Sequence, residues 1–246
     1  MVLLDYNIST IIPNDCQKKQ TVVNTINPHS YCIAKEDKDF EFALKESDFL
    51  FPDGVGIVWA AKFLTGKKIA KIAGYDIFMH FAEKLNQKKG SCFFLGASES
   101  TLELIKSRML LDFPEVKVGT FSPPYKAVFS EGESMMMLSK VAEFNPDVLF
   151  VGMGAPKQET WVHLHKMKIQ ADVICCIGAV FDYYAGTVKR PSSFWINLGI
   201  EWLARLLKEP KRLFKRNFVS TPRFLYFVFL QKLKIRSLKK LLKYPS

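Results

Sequence analysis

The sequence predicts an α/β fold in which a mostly parallel sheet is covered by helices on both faces and is followed by a helical C-terminal appendage. Two observations predict this fold. Short apolar runs alternate with segments that carry apolar residues at helical spacing, and from Pro191 onward the pattern is helical only. Alternating strands and helices form right-handed βαβ units, whose parallel sheet is buried on both faces. Because such sheets bind ligands beyond the carboxyl ends of their strands, polar residues at those ends are candidates for a site.

Six apolar runs bounded by turn residues are the predicted strands. In chain order they are Thr21–Asn27, Asp48–Asp53, Cys92–Gly96, Val116–Phe121, Val148–Gly152 and Val173–Phe181. Helical patterns separate or flank these runs. They are Glu36–Lys45, Gly56–Leu64, Tyr75–Lys88, Ser100–Leu111, Glu133–Phe144 and Pro156–Lys168. This order is typical of a Rossmann-like core, which we assign to residues 1–190.

The excess positive charge lies in the appendage, residues 191–246, and at its border. The whole chain has a formal net charge of +11, and residues 189–246 hold 15 Lys and Arg against two Asp and Glu. Aromatic and aliphatic residues, among them the run Phe224–Leu230, stand between the basic ones. A segment of this kind suits nucleic acid, an anionic membrane or a phosphorylated substrate.

The cysteine and hydropathy patterns favour a cytosolic protein. The five cysteines lie mostly in apolar runs and form no C-x-x-C pair, and the four histidines form no metal-ligand cluster. We find no secretion signal, and no apolar run approaches the roughly 20 residues needed to span a bilayer. We therefore expect reduced core cysteines, no bound metal, and neither secretion nor membrane insertion.

The predicted strand Val148–Gly152 runs into a glycine turn and a helix with Pro156 near its first position. Backbone N–H groups at a helix start, together with the helix dipole, suit a phosphate or diphosphate. A tight turn without a ligand explains the spacing equally well, because the third glycine of a dinucleotide fingerprint is missing.

Polar residues also end other predicted strands. Asp53 follows the second strand, where a carboxylate could act as a general base on a substrate hydroxyl, although Asp before Gly is also a common turn and capping residue. Thr25 and Asn27 end the first strand, and we expect Asp182 to end the sixth. Each residue alone is more typical of a cap or turn, but their shared position at strand ends favours a common site.

Four motifs occur in a fixed order along the chain. They are Thr25-Ile26-Asn27-Pro28, Pro52-Asp53-Gly54-Val55-Gly56, Asn145-Pro146-Asp147 running into Gly154-Ala155-Pro156-Lys157-Gln158-Glu159, and Gly199-Ile200-Glu201-Trp202-Leu203 running into Glu209-Pro210-Lys211-Arg212. Over nearly its whole length the chain resembles the WecG/TagA/CpsF glycosyltransferase family (family 26, N-acetylmannosaminyltransferase-like). The resemblance implies a nucleotide-sugar donor and a polyprenyl-diphosphate-linked acceptor at the inner face of the bacterial cell membrane. It implies a role in wall teichoic acid linkage units, enterobacterial common antigen, or capsule and exopolysaccharide.

The resemblance also implies roles for the strand-end residues. Asp53 is the expected catalytic base of an inverting reaction that displaces UDP. Thr25, the second expected catalytic residue, and Asn27 line the donor-sugar site, while Gln158 contacts the sugar and Asp182 shapes the nucleotide pocket. The UDP-sugar is a co-substrate, and neither a cofactor nor a divalent metal is expected. Fixed cations must then stabilise the departing diphosphate.

Those cations are expected largely from the appendage. The resemblance implies Arg205 and Arg212, but the next expected arginine is Lys215, with Arg216 beside it, so either of the two can reach the diphosphate. Lys71 also stands where the family usually has arginine. Lysine keeps the charge but lacks the bidentate fork, which leaves the donor-site geometry open.

The appendage has a physical rationale at a membrane. Anionic headgroups attract Lys and Arg by roughly 1 kcal/mol each, and aromatic side chains favour the interfacial layer. We predict a peripheral protein whose appendage, Leu198–Leu242, lies on the membrane and closes over the donor site. The alternative is a helical hairpin packed on the core with a solvated basic face. A homo-oligomer is compatible with the sequence.

Two other classes of protein stay open. The first is a nucleic-acid-binding protein whose basic tail follows phosphates and stacks bases, although the glycosyltransferase interpretation expects no nucleic acid. The second is a nicotinamide-dependent oxidoreductase, against which stands the missing G-x-G-x-x-G fingerprint. The sequence does not fix the sugar: N-acetylmannosamine, its uronic acid, glucose and related hexoses all fit.

Overall fold

The computed structural model describes residues 1–13, 20–189, 206 and 214–243, and of residues 215 and 236–243 it describes only the backbone. A small antiparallel hairpin begins the chain. The hairpin pairs β1 (Val2–Leu3) with β2 (Tyr6–Asn7). Sequence patterns did not predict it, since two-residue strands are too short to show a period. Its residues Leu3 and Tyr6 are buried against the main body of the protein.

Six parallel strands form the central sheet. They are β3 (Thr21–Ile26), β4 (Phe49–Pro52), β5 (Ser91–Gly96), β6 (Lys117–Phe121), β7 (Val148–Gly152) and β8 (Val173–Cys176). Their spatial order is β4-β3-β8-β7-β5-β6, and every pairing is parallel. The predicted α/β fold class is therefore confirmed. After β3 the chain continues to one edge of the sheet and after β5 to the other, so we expect ligands to bind beyond the carboxyl ends of the strands between them.

Helices connect the strands and end the described chain. They are α1 (Pro28–Ala34), α2 (Lys38–Lys45), α3 (Val55–Thr65), α4 (Gly74–Lys88), α5 (Glu99–Asp112), α6 (Glu131–Phe144), α7 (Lys157–His165), α8 (Val180–Ala185) and α9 (Thr221–Lys243). A short 3-10 helix, Lys166–Lys168, follows α7, and a π-helical segment, Lys215–Ser220, precedes α9. The sequence patterns missed α1 and α8, which are only seven and six residues long.

The two faces of the sheet bury different side chains of the same strands. In β7, Val148 and Phe150 pack with the helices on one face, whereas Leu149 and Val151 pack with those on the other. This alternation follows from the two-residue period of a strand, and it explains why parallel strands read as continuous apolar runs. Fully burying one such side chain contributes roughly 1.5–3 kcal/mol. The prediction of helices on both faces is confirmed.

The predicted strand Val173–Phe181 is wrong in its second half. Strand β8 ends at Cys176, the chain turns at Gly178 with a positive φ of 46°, and α8 begins at Val180. A continuous apolar run does not distinguish a buried strand from a strand, turn and buried helix in succession. Of the cysteines, Cys16 lies outside the described residues, and the other four are buried and form no disulfide.

Helix α9 packs on the core through one of its faces. Phe224 and Val228 are fully buried in a cluster with residues of α1 and α3, and the Tyr31 ring meets the Phe224 and Phe227 rings edge-on at 5.3 and 5.8 Å. Arg223 also forms an ion pair with Glu36. The boundary at residue 190 adjoins residues that the structure does not describe, so the division into two domains stays a prediction. None of the described helices is both long and apolar enough to cross a membrane.

Candidate active site

Asp53 and Asn27 follow neighbouring strands of the sheet. Ile26 of β3 pairs with Pro52 of β4, and the Asp53 backbone N–H continues the ladder by donating to Ile26 O at 2.9 Å. Gly54, with φ of 92°, then turns the chain and occupies the N-cap position of α3. Asp53 is therefore not the capping residue of that helix, and it is half-buried at the carboxyl edge of the sheet, which we call the rim.

Asn27 uses one end of its side-chain amide to begin α1. Its Oδ1 accepts hydrogen bonds from the backbone N–H groups of His29 and Ser30, both at 3.0 Å, and Ser30 Oγ accepts from Asn27 N at 2.8 Å. This reciprocal capping box fixes the amide plane. Within the described chain Asn27 Nδ2 makes no hydrogen bond, so a donor is left at the rim. Thr25, half-buried, lies two residues earlier and pairs with Phe51.

Lys71 joins the same rim from a segment without regular secondary structure. The Ile72 backbone N–H donates to Pro52 O at 2.9 Å, which places Lys71 beside the end of β4. The chain then enters α4 at Gly74, where an added Cβ would lie 3.3 Å from Ile177 O in the turn after β8. The structure thus brings Asp53, Asn27 and Lys71 together through their backbones.

Gln158 lies between two glycine turns that follow β7 and β8. Its Oε1 accepts from the Gly154 N–H at 3.0 Å, and its Nε2 donates to Glu159 Oε1 at 2.8 Å. An added Cβ at Gly178 would lie 3.5 Å from Gln158 Oε1. Gln158 is at the predicted edge of the sheet, but only 4% of it is exposed, so its predicted contact with a sugar stays a prediction.

Glu159 is a residue of this edge that the sequence reasoning did not single out. It is 4% exposed, and its pKa is raised to about 7 by burial, which outweighs the hydrogen bonds from Gln158 and from its own backbone. In the sequence Glu159 is an acidic residue in the first turn of a helix, which is an ordinary position for a solvent-exposed carboxylate. A charge pattern alone does not reveal burial.

Asp182 has a different position from the predicted one. It does not end a strand but stands in the first turn of α8, where its backbone oxygen accepts from the Val188 N–H at 3.2 Å and from Thr187 Oγ1 at 3.1 Å. The neighbouring Phe181 ring packs over Gly152 at the end of β7. Asp182 thus lies in the helix beyond the turn that follows β8, and its role at a nucleotide stays a prediction.

The predicted appendage cations are only partly described. Arg205 and Arg212 lie outside the described residues, and of Lys215 only the π-helical backbone is described. Arg216, half-buried, belongs to the same π-helical segment. Ser220 joins that segment to α1, because its Oγ lies 2.8 Å from His29 Nδ1 and its carbonyl oxygen accepts from Cys32 Sγ at 3.3 Å. The segment that contains Arg216 is therefore in contact with α1, the helix that Asn27 caps.

The Asn145-Pro146-Asp147 motif lies at the opposite, amino edge of the sheet. Asp147 accepts hydrogen bonds from Ser91 N at 2.6 Å and from Ser91 Oγ at 3.0 Å, and it pairs with Lys88. Asn145 ends α6 in a left-handed conformation. These contacts join the starts of β5 and β7, which gives this motif a structural role.

The comparisons with known proteins place this α/β protein among the glycosyltransferases. The model of the "Glycosyl transferase WecG/TagA/CpsF family" matches residues 7–238, and the chain belongs to this family. The predicted resemblance is thus confirmed. Of the three classes that the sequence left open, the match favours the glycosyltransferase.

Similar curated proteins carry one name, N-acetylglucosaminyldiphosphoundecaprenol N-acetyl-beta-D-mannosaminyltransferase. The protein of Bacillus subtilis is 32% identical over 208 residues, which cover 85% of this chain and 78% of that protein. The protein of Bacillus spizizenii is 33% identical over the same shares. That of Staphylococcus aureus is 27% identical over 239 residues, 97% of this chain and 91% of that protein.

Proposed function

We propose that this chain is an inverting glycosyltransferase that moves a hexose from a UDP-sugar to a polyprenyl-diphosphate-linked sugar. N-acetylmannosamine and N-acetylglucosaminyl-diphosphoundecaprenol are the first pair of substrates to consider, because the named relatives carry them in their names. The uronic acid of N-acetylmannosamine and glucose are further donors. The observation that carries the proposal is the adjacency of Asp53 and Asn27 at the carboxyl ends of β4 and β3.

Asp53 acts as the general base in a single displacement. Its carboxylate takes the proton from the acceptor hydroxyl as that oxygen forms a bond to the anomeric carbon. The bond from the anomeric carbon to the diphosphate oxygen breaks on the opposite side, and UDP leaves with the electron pair. One displacement from the opposite face inverts the anomeric configuration.

The diphosphate of UDP lies at the Gly154 turn and the start of α7. The helix dipole and the backbone N–H groups of this turn other than that of Gly154, which already donates to Gln158 Oε1, favour an anion there, and the N-cap residue Pro156 makes no side-chain cap. Lys71 and the appendage cations Arg205, Arg212, Lys215 and Arg216 stabilise the charge that develops on UDP. Preorganised charge of this kind replaces a divalent metal in the proposed reaction.

The donor sugar lies against the rim formed by β3. Thr25 and the Nδ2 donor of Asn27 face the sugar hydroxyl groups, and Gln158 holds the wall of the pocket through Gly154. Asp182 lies beside the nucleotide. Among the described residues, no group of three His, Cys, Asp or Glu side chains has the arrangement of a metal site.

Helix α9 supplies the contact with the membrane on which the acceptor lipid lies. Opposite its buried face it exposes Leu225, Tyr226, Phe229, Leu230 and Leu233, with Phe218 just before them. We call these residues the exposed apolar face of α9. Basic residues such as the exposed Lys234 flank it, and this combination suits the interface of an anionic bilayer on the cytoplasmic side.

A donor screen tests the proposed function. The full chain is mixed with N-acetylglucosaminyl-diphosphoprenol and, in turn, UDP-N-acetylmannosamine, its uronic acid form and UDP-glucose, and UDP release is followed. Release from one donor that depends on the acceptor supports the proposal. Release from none of the donors, or release that is equal without acceptor, contradicts it.

A further inference from the structure

The first turn of α7 contains a buried carboxyl group of which one oxygen has no partner. Glu159 Oε1 accepts from Gln158 Nε2 at 2.8 Å, whereas Glu159 Oε2 has no hydrogen bond among the described residues. Only 4% of Glu159 is exposed, so solvent does not satisfy Oε2. Buried polar atoms are normally paired, and an ionised carboxylate with one oxygen unpaired is costly. This group therefore needs an explanation beyond packing.

A short chain of hydrogen bonds connects Glu159 to the turn proposed to hold the diphosphate. Because Gln158 Oε1 accepts from Gly154 N–H, the amide must direct its Nε2 at Glu159. The turn, the amide and the carboxyl are thus linked in series. Two hydrogen bonds in series therefore connect the charge of Glu159 to the Gly154 N–H group.

Burial, rather than a neighbouring charge, sets the protonation of Glu159. Its pKa of about 7 results from burial, opposed by the hydrogen bonds from Gln158 and the Glu159 backbone. The titratable group that faces it is Cys176 of β8, whose pKa burial raises well above the usual range, so the thiol is uncharged. Lys157, on the same turn of α7, directs Nζ away, 2.8 Å from Lys126 O.

Other elements packed against α7 meet it at other positions. Helix α2 contributes Phe42, whose ring lies 5.0 Å from that of His163, and α6 contributes Ser134, whose Oγ accepts from Trp161 Nε1 at 3.3 Å. His163 is in the last turn of the helix. Gain or loss of a proton at Glu159 Oε2 therefore changes the charge at the start of α7.

We propose that Glu159 is a positioning residue that binds a proton when the diphosphate of the donor binds. The inference rests on the proposed function, since it places that diphosphate at the start of α7. A carboxylate in the same turn as a bound anion repels it across a low-dielectric interior. The protonated form keeps the Gln158 hydrogen bond through Oε1 and removes the repulsion. By linkage, the anion raises the proton affinity of Glu159, and one proton moves from solvent to Oε2.

Calorimetry of UDP binding to the full chain tests the proposal, with Glu159→Gln as the variant. The variant keeps an acceptor oxygen for Gln158 and cannot ionise. We expect UDP binding to raise the pKa of Glu159 by about one unit. The dissociation constant of UDP then increases from pH 6 to pH 8 by a factor that is about fivefold larger in the wild type than in Glu159→Gln. In buffers of different ionisation enthalpy at pH 7, the wild type takes up about 0.4 proton more than the variant. Glu143→Gln, which removes an exposed carboxylate paired with Lys140, behaves as the wild type.

The outcomes separate this inference from the proposed function. Binding of UDP with the same pH dependence and proton uptake in both proteins overturns the role of Glu159 and leaves the proposed function standing. Binding that is weaker in Glu159→Gln by one factor at every pH also overturns it, because that is a purely structural effect. Failure of every folded protein to bind UDP overturns the proposed function itself. If the variant does not fold, the wild type alone tests the inference. Proton uptake on UDP binding that the titration of free UDP fully accounts for would contradict it.

Discussion

The backbone N–H of Asp53 donates to the carbonyl oxygen of Ile26 at 2.9 Å, so the carboxylate at the end of β4 lies next to the residue that begins α1. The two residues are neighbours because their strands are paired in parallel and end at the same level. This backbone pairing places the Asp53 carboxylate, which we propose as the general base, and the Asn27 amide at the same edge of the sheet. The register of β3 and β4 thus determines that these two residues of the candidate site are neighbours.

Asn27 is expected to show separate effects on stability and on donor binding. Asn27→Ala removes the α1 cap and lowers the free energy of unfolding by about 1 kcal/mol. Asn27→Ser keeps a capping oxygen but loses the Nδ2 donor, so its stability changes little while its KM for the donor increases. Chemical denaturation and steady-state kinetics of both variants measure the difference. An unchanged KM in Asn27→Ser would show that Nδ2 does not contact the donor.

Glu159 makes stability depend on pH. Its folded-state pKa of about 7 lies above the ordinary value of 4.5, so the stability it contributes is complete below about pH 4.5 and is lost as pH rises through 7. From pH 5 to pH 8 the wild type should lose roughly 2–3 kcal/mol more unfolding free energy than Glu159→Gln. Urea denaturation at the two pH values measures this. Parallel curves for the two proteins would mean that Glu159 does not titrate in this range.

Gly56 allows α3, α1 and α9 to meet. A Cβ there would lie 2.5 Å from Pro28 Cγ and 3.8 Å from Phe224 Cε1. Gly56→Ala should therefore destabilise the protein by about 1–3 kcal/mol. Gly132→Ala is the matched control, because an added Cβ in that helix meets nothing within 4 Å, and it should be neutral or slightly stabilising. Equal melting temperatures for the two variants would contradict the close packing at Gly56.

The exposed apolar face of α9 should bind anionic vesicles. Replacing Leu225, Phe229 and Leu233 together by serine removes apolar contacts with the bilayer and should reduce flotation with such vesicles by at least tenfold, with little change in melting temperature. Leu111→Ser, at an 82% exposed position of α5, should bind as the wild type. Undiminished binding of the triple variant would contradict the proposed membrane contact.

The sequence predicted most of the sheet because buried parallel strands leave long apolar runs. It located five strand ends to within one residue, among them the one before Asp53. It could not separate β8 from α8, since Ile177 and Val180 continue the apolar run across the turn at Gly178. Asp182 was therefore assigned to a strand end when it lies in a helix.

The candidate site was predictable where a side chain belongs to a motif at a strand end. Asp53 and Asn27 follow predicted strands that pair in the sheet, whereas Lys71 was singled out only by the resemblance to the family. Glu159 was not predictable, because its importance comes from burial and from an unpaired oxygen, and neither leaves a pattern in the sequence. The motif predicted the position of Gln158 at the edge of the sheet. It did not predict that the side-chain amide is hydrogen-bonded at both ends, to Gly154 and to Glu159.

Acceptor-dependent release of UDP by Asp53→Asn is the most direct measurement for the central claim. The substitution keeps the size of the side chain and removes the base, so kcat should fall by about 100-fold or more while UDP binding is retained. Asp172→Asn, an exposed carboxylate at the start of β8 on the opposite edge of the sheet, is the matched control and should turn over as the wild type. Turnover by Asp53→Asn at the rate of Asp172→Asn would contradict Asp53 as the catalytic base.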